Sequence, residues 1–443
     1  MVWGPFPTSL HARSFLCTAG LAGEPDLIGA WLRYGGFTLA NYGALVDSGR
    51  AWLVVVAAFC SSFVTLGVTY SFGAFFADMA AEFDSTRAAT SIIFGITTFL
   101  FFWLSLITGR VADRWGPQPV LLVGAASMFV GLFVTSNVQS LMAGYVTYGA
   151  GMGIAAACGY IPMVALVGAW FDRHRATAVG LAVAGIGAGT LVMSPLSAEL
   201  VERYGWRDTY RLLGIVGAIV LLVCAALVKR PPGFDGSQPS RFADAWASPV
   251  FRRLQASALC SGLALFVPFV FVGQYARERG VGPVAAAVLV GALGGASVLA
   301  RIGFGSAVRR FGSMRLYRAS FLLLAASFVI WFLAGGSYVA MFVFVVVLGV
   351  GYGGFVALST IVLAERLGVA GLGSIMGLFY TTQGVGGLVG PPVAGVIIDR
   401  TGGYRTAIVI CAVLTVAAWA ILLPLSKDPR VKALASTGTD TRR

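Results

Sequence analysis

The chain has 443 residues, of which 58% are hydrophobic and 11% charged, and its formal net charge is +13. A soluble domain carries about 25% charged residues, so most of this chain must lie in lipid rather than around an aqueous core. Its basic residues fall one or two at a time between apolar runs, which excludes a phosphate-binding patch and a nucleic-acid partner. Six cysteines without paired spacing, and histidines only at His11 and His174, exclude a metal centre, and no cofactor is expected.

Residues 1–50 are interrupted by His11, Arg13, Glu24, Asp26 and Arg33 and lack the apolar core of a signal peptide. They read as a disordered cytoplasmic extension, or as the product of a start codon assigned too early. Uncharged runs then follow at 51–77, 88–109, 115–171, 176–198, 212–228, 254–276, 280–300, 319–364, 367–398 and 406–426. Lipid offers the backbone no hydrogen-bond partner, so runs this apolar must be helices. The runs 115–171 and 319–364 are too long for one crossing. Asn137-Val138-Gln139-Ser140 divides the first and Gly335-Gly336-Ser337 the second. The expected fold class is an all-α membrane protein of twelve transmembrane helices in two six-helix bundles, 51–229 and 252–426. A polar linker, 230–251, carries Pro231-Pro232-Gly233, and a polar tail covers 427–443. With the amino terminus inside, 22 Lys and Arg fall on the cytoplasmic side against eight outside. That excess places both termini in the cytoplasm of a multi-pass protein of the inner or plasma membrane.

The two bundles repeat each other. Gly180-Leu181, Gly187, Gly189, Leu191-Val192 and Pro195 recur 197 residues later as Gly377-Leu378, Gly384, Gly386, Leu388-Val389 and Pro392. Glycine strings such as Gly149-Ala150-Gly151 and Gly351-Tyr352-Gly353 lie inside spans, where they let helices pack closely rather than cradle a nucleotide. Repeated bundles leave a seam, and secondary transporters bind substrate at such seams.

Gly109-Arg110-Val111-Ala112-Asp113-Arg114-Trp115-Gly116 resembles the motif between helices 2 and 3 of the major facilitator superfamily. Its repeat partner, Gly305 to Gly312, carries Arg309 in place of the acid. Trp170-Phe171-Asp172-Arg173-His174-Arg175, with Pro195 and Gly205-Trp206-Arg207 downstream, resembles the branch of oxalate:formate antiporters and monocarboxylate transporters. The resemblance implies alternating access by rocking of the bundles. It also implies a cytoplasmic gate of Gly109, Asp113, Arg114, Gly116, Arg173 and Arg175. In that gate Asp113 contacts the start of helix 11 near Gly371–Ser374, and Arg173 or Arg175.

Arg301 is the charge set deepest in a span, eight residues or about 12 Å from Arg309. Facing lipid it would cost at least ~2.5–3.5 kcal/mol, so it should face the seam. Asp78, Glu199, Glu202, Glu365 and Asp399 all lie at span ends. The missing anion is then the substrate's carboxylate, which a guanidinium fork matches with two parallel hydrogen bonds. The bland alternative is a structural Arg301 bonded to backbone carbonyls or Glu365. The resemblance agrees with the first reading, because the branch carries a carboxylate-binding arginine on helix 8. Ser297 stands where related carriers place an aspartate, and Gln383 where the oxalate carriers place a lysine. One fixed charge favours a monoanion, and a coupling proton or a counter-anion both remain open. Tyr70, Tyr145, Tyr148, Tyr352, Tyr380 and Gln383 are candidates for the rest of the pocket. Near the ends of the bundles, Arg207 is expected to pair with Glu202 and Arg405 with Asp399.

The expected function is a monomeric secondary carrier whose partner is a small-molecule organic anion, a monocarboxylate. The alternative is a larger, weakly charged solute such as riboflavin. A membrane enzyme would need a catalytic histidine or a nucleophile–base set inside the spans, and none is present. A receptor that signals without transport is a more remote option.

Overall fold

The computed structural model describes residues 48–230, 242–368 and 372–427. The expected extension and tail lie outside them, apart from their innermost residues, as does linker segment 231–241. Ten helical segments are long and apolar enough to cross a membrane. They include α1 (Gly49–Glu82), α2 (Arg87–Trp115), α3 (Pro117–Thr135) and α4 (Leu141–Trp170). The Arg175–Leu227 segment turns at Gly205, whose φ is 77°, into α5 (175–204) and α6 (206–227). The second set begins with α7 (Pro249–Arg277), α8 (Pro283–Phe311), α9 (Ser313–Ala334) and α10 (Tyr338–Leu367). Less apolar because of its glycines and Gln383, α11 (Leu372–Thr401) follows, and α12 (Arg405–Leu425) closes the chain. No strand occurs among the described residues.

The repeat in the sequence becomes a repeat in the backbone. Gly116 ends α2 at φ 98° and Gly312 ends α8 at φ 80°; Gly205 and Gly402, 197 residues apart, turn at φ 77° and 66°. L side chains avoid this left-handed region, so glycine sets each turn. Helices also run past the uncharged stretches, because charged end turns stay helical. α7 begins at Pro249, not at 252: Ser248 caps it, accepting from the Phe251 amide, with proline in the first turn. A short helix, Phe242–Ala247, precedes it, so the linker is partly helical.

Across the seam α2 lies along α11 and α5 along α8. A Cβ on Gly95 would sit 3.0 Å from the Leu388 carbonyl oxygen, and one on Gly187 2.5 Å from that of Gly294. Small residues are what let these backbones approach. Large apolar side chains such as Leu299, Leu333 and Val339 point outward, as a lipid-facing shell requires.

Three spans are not continuous. α1 breaks at Ser71 and α7 at Phe266, ahead of Pro268. α4 contains a π-helical stretch, Tyr145–Ala150, and breaks again at Tyr160, where Pro162 interrupts the hydrogen-bond ladder. The carbonyls freed there are capped by side chains. Ser61 Oγ donates to Gly159 O at 2.7 Å and Thr108 Oγ1 to Ala157 O at 2.8 Å.

Candidate substrate-binding site

Arg301 sits on α8, ten residues or about 15 Å from its Phe311 end. Its Nη1 donates to the Val183 carbonyl on α5 at 3.0 Å, so the side chain crosses the seam. No carboxylate among the described residues pairs with it; Glu365 instead accepts from Ser313 Oγ. Nε and Nη2 are buried without a partner. These two nitrogens share the edge of the guanidinium that makes parallel hydrogen bonds to a carboxylate. The bland alternative is thus half met. One backbone carbonyl is engaged, Glu365 is not, and the bidentate edge is open.

Tyrosines surround the guanidinium. Its central carbon lies 5.8 Å from the Tyr352 ring centroid. Tyr70, Tyr160 and Tyr380 are within its electrostatic reach. The Tyr70 and Tyr352 hydroxyls lie beside each other, and the Tyr380 hydroxyl is 2.8 Å from Ser359 Oγ. Phenylalanines of α2 and α7 pack behind these rings: Tyr70 on Phe269 at 4.7 Å, Tyr380 on Phe102 at 6.1 Å, and Tyr160 on Phe101 at 6.0 Å. Tyr160 was not among the sequence candidates. Its signal was Gly159-Tyr160-Ile161-Pro162, a glycine–proline interruption of an apolar run.

The other candidates make contacts of their own. Tyr145 and Tyr148 precede Tyr160 by 15 and 12 residues, about 22 and 18 Å along the helix. The Tyr145 hydroxyl donates to Ala89 O at 2.9 Å. Tyr148 is buried between Phe72 and Tyr210, with centroids 5.6 and 5.3 Å away. Ser297 is buried and its hydroxyl bonds its own helix at Gly294 O. Gln383 is buried too, with Nε2 donating to Ala258 O on α7 at 2.8 Å, so it ties α7 to α11.

The expected gate contact of Asp113 falls partly on residues 369–371, which lie outside the described residues. The charge beside its carboxylate is Arg230, whose Nη2 also donates to the Asp113 carbonyl at 2.7 Å. Asp113 belongs to α2, and Arg230 lies just past the end of α6. Among the described residues, no hydrogen bond or ion pair is seen between the Asp113 carboxylate and Ser374 or Arg175. Arg175 packs beside Gly168, Arg114 is exposed, and Gly116 lies against the Arg230 side chain. A Cβ added at Gly109, Gly180, Gly303 or Gly373 would meet nothing within 4 Å, so this end is loosely packed.

The opposite end is clamped. Arg87, at the start of α2, places Nη2 2.7 Å from Glu278 Oε1 and Nη1 3.2 Å from Asp399 Oδ1. The Ala88 amide donates to Asp399 Oδ2 at 3.3 Å, and the Tyr404 hydroxyl to Glu278 Oε1 at 2.7 Å. Burial, and then the bond to Glu278, raise the Tyr404 pKa, so it remains a donor at neutral pH. Among the described residues these are the ion pairs that join the two sets of six helices. Nearby, Arg207 departs from expectation and pairs with Glu82 at 2.5 Å, not Glu202. Arg405 lies 5.8 Å from the Phe332 ring centroid, because Arg87 holds Asp399. A recess of about 690 Å³ opens at this same end between α1, α5, α7 and α8, and Arg301 does not line it.

The sequence profile of the Major Facilitator Superfamily matches residues 57–337 and 296–441. Monocarboxylate transporter 11 of Mus musculus is 28% identical over 391 residues, 83% of this chain and 85% of that protein. Monocarboxylate transporter 4 of Rattus norvegicus is 28% identical, covering 85% of this chain and 83% of that one. Among solved structures, the nucleoside transporter NupG aligns with a TM-score of 0.68 at 15% identity, over 86% of this chain and 100% of that chain. A bacterial homolog of the human lysosomal transporter Spinster, inward-facing and occupied, aligns at 0.68 and 15%, over 87% and 97%. At such identities the structures speak for the fold alone.

Proposed function

We propose that this chain, which belongs to the Major Facilitator Superfamily, carries a small monocarboxylate across its membrane by alternating access, with Arg301 binding the carboxylate. That it is a multi-pass membrane transporter of a small solute, and not an enzyme, follows from the family and the relatives. The observation that carries the finer reading is the open, buried Nε–Nη2 edge of Arg301 at the seam. A buried donor pair without partners is costly, and an incoming carboxylate satisfies both nitrogens at once. The Asp113 end is taken as cytoplasmic from the distribution of basic residues. The protein works as a monomer in the cell's inner or plasma membrane. Gly109, Asp113, Arg114, Gly116, Arg173 and Arg175 form the cytoplasmic gate in the arrangement opposite to the one described, when the Asp113 ends come together.

Flux into proteoliposomes tests this. Charge-assisted hydrogen bonds are worth about 1.5–3 kcal/mol each, so Arg301→Ala should lower carboxylate affinity at least 100-fold. Arg301→Lys, a point charge without the fork, should lose most of it as well. Full uptake by the Ala variant would instead favour a weakly charged solute such as riboflavin.

A further inference from the structure

We propose that the substrate is a monocarboxylate with a flat aromatic body, held between Tyr160 and Tyr380 while Arg301 takes its carboxylate. The proposal rests on the carboxylate reading and narrows it to a class. Tyr160 comes from α4 and Tyr380 from α11, so the two rings approach Arg301 from opposite sides of the seam. The two are joined through the touching rings of Phe101 and Phe102, and both lie within electrostatic reach of the guanidinium. Both are only partly buried, whereas Tyr70 and Tyr352 are 3% and 8% exposed and packed away. Of the four, these two keep the most side-chain surface that a ligand could cover.

Their spacing is set from behind. Tyr160 rests on Phe101 and Tyr380 on Phe102, adjacent residues of α2 whose own rings are 4.3 Å apart. Tyr380 is stacked on Phe102 with 15° between the planes and is held at its hydroxyl by Ser359. Rings fixed in this way present faces, and a third ring between them gains offset-stacking or edge contacts as well as apolar burial. The break in α4 places Tyr160 where the helix ladder is interrupted, capped by Ser61 and Thr108. Broken helices near mid-membrane are where carriers of this architecture bind substrate.

Charge narrows the class further. One guanidinium with no carboxylate partner neutralises one negative charge. A dicarboxylate would leave an anion buried and unpaired, and an amino acid would leave its ammonium without an acidic partner. A two- or three-carbon acid would satisfy Arg301 but leave the faces of Tyr160 and Tyr380 without a guest.

The test is competition for binding to the purified full-length protein in lipid nanodiscs, read by thermal stabilisation. The probes are benzoate, phenylacetate, acetate, pyruvate, phthalate and phenylalanine. Benzoate or phenylacetate should bind at least tenfold tighter than acetate, pyruvate, phthalate and phenylalanine. Tyr160→Leu should cut the phenylacetate-over-acetate preference at least fivefold, and Tyr160→Phe should keep it, because the ring does the work. Tyr380→Leu, on an unbroken helix turn, should repeat the effect if the Tyr160 variant folds poorly. Acetate or pyruvate binding as tightly as the aryl acids, or leucine variants that weaken all acids equally, would overturn the aromatic proposal and leave the carboxylate reading standing. No binding by any carboxylate would overturn both.

Discussion

Replacing Arg87 with glutamine should open the clamped end. In the structure one guanidinium spans two carboxylates of the last six helices, at 2.7 Å from Glu278 and 3.2 Å from Asp399. The side chains are 38%, 40% and 24% exposed, so water screens them and the full Coulomb energy does not apply. An exposed pair is worth about 0.2–1 kcal/mol. Two pairs sharing one fork, with Tyr404 fixing Glu278, amount to about 1–2 kcal/mol. Because Arg87 lies on one set of six helices and both acids on the other, this energy belongs to the clamped arrangement and is lost when the halves part at this end. Its removal should shift the population roughly 5- to 30-fold. The shift can be read as the labelling rate of Ala198→Cys, a residue lining the adjacent recess, in a background with the native cysteines replaced. A membrane-impermeant maleimide added from the Arg87 side should react faster in the Arg87→Gln protein by that factor. High salt should narrow the difference. An unchanged rate at low ionic strength would refute the reasoning, as would full restoration of the slow rate by a lysine, which cannot fork.

Among the described residues the charge beside Asp113 is Arg230, not one across the seam, so Asp113→Asn should leave the clamped arrangement intact and weaken the opposite one. Labelling of cysteines near Gly109 from the Asp113 side should rise or stay high, and a fall would contradict the gate role. Gly187→Val would push a side chain against the Gly294 carbonyl, 2.5 Å from the Cβ position. Such overpacking costs about 1–3 kcal/mol, so flux should drop while membrane insertion persists; normal flux would mean that α5 and α8 do not approach this closely. Arg207 reaches Glu82 and the carbonyls of Ser136 and Val138. Arg207→Ala should lower stability by about 1–3 kcal/mol in thermal unfolding without changing labelling at Ala198→Cys.

How far the sequence could be read depended on the kind of signal. Apolar runs and repeated glycines spelled out the helices and their turns, because lipid leaves the backbone no other choice. Arg301 was legible for a related reason: a charge that deep in a span has nowhere to go but the seam. The facing of neutral residues was not. α4 is apolar all round, so no polar stripe marks which side lines the seam. Tyr145 and Tyr148 stood out on α4 and Tyr160 did not, yet those two lie well over 15 Å from Tyr160 along the helix. The bond from Gln383 Nε2 to the Ala258 carbonyl could not be foreseen either, while its Oε1 is buried without a partner. The pairing of Arg207 with Glu82 joins residues 125 apart, and no spacing rule would find it. Asp113 is a different case. On the proposed alternating access one sequence would serve at least two arrangements, and a single structure displays the contacts of one.

The two arginines at the seam suggest how binding and movement are linked. Arg301 is held across the seam by one carbonyl, Val183 O, while its carboxylate-binding edge stays empty. In the described arrangement the empty site already buries a charge with two unmet donors, which is expensive. A bound monoanion would remove that cost and, on the proposal above, would lie between Tyr160 and Tyr380, so it would favour the arrangement that encloses it most fully. A ligand can shift an equilibrium only by its differential affinity for the two states. Against that stands the Arg87 clamp, worth about 1–2 kcal/mol on the estimate from exposed pairs. A carboxylate whose hydrogen bonds to Arg301 strengthen by a few kcal/mol on closure exceeds this, and an empty site does not. The carrier would then cross more readily loaded than empty, and exchange of one anion for another would outpace net movement of either.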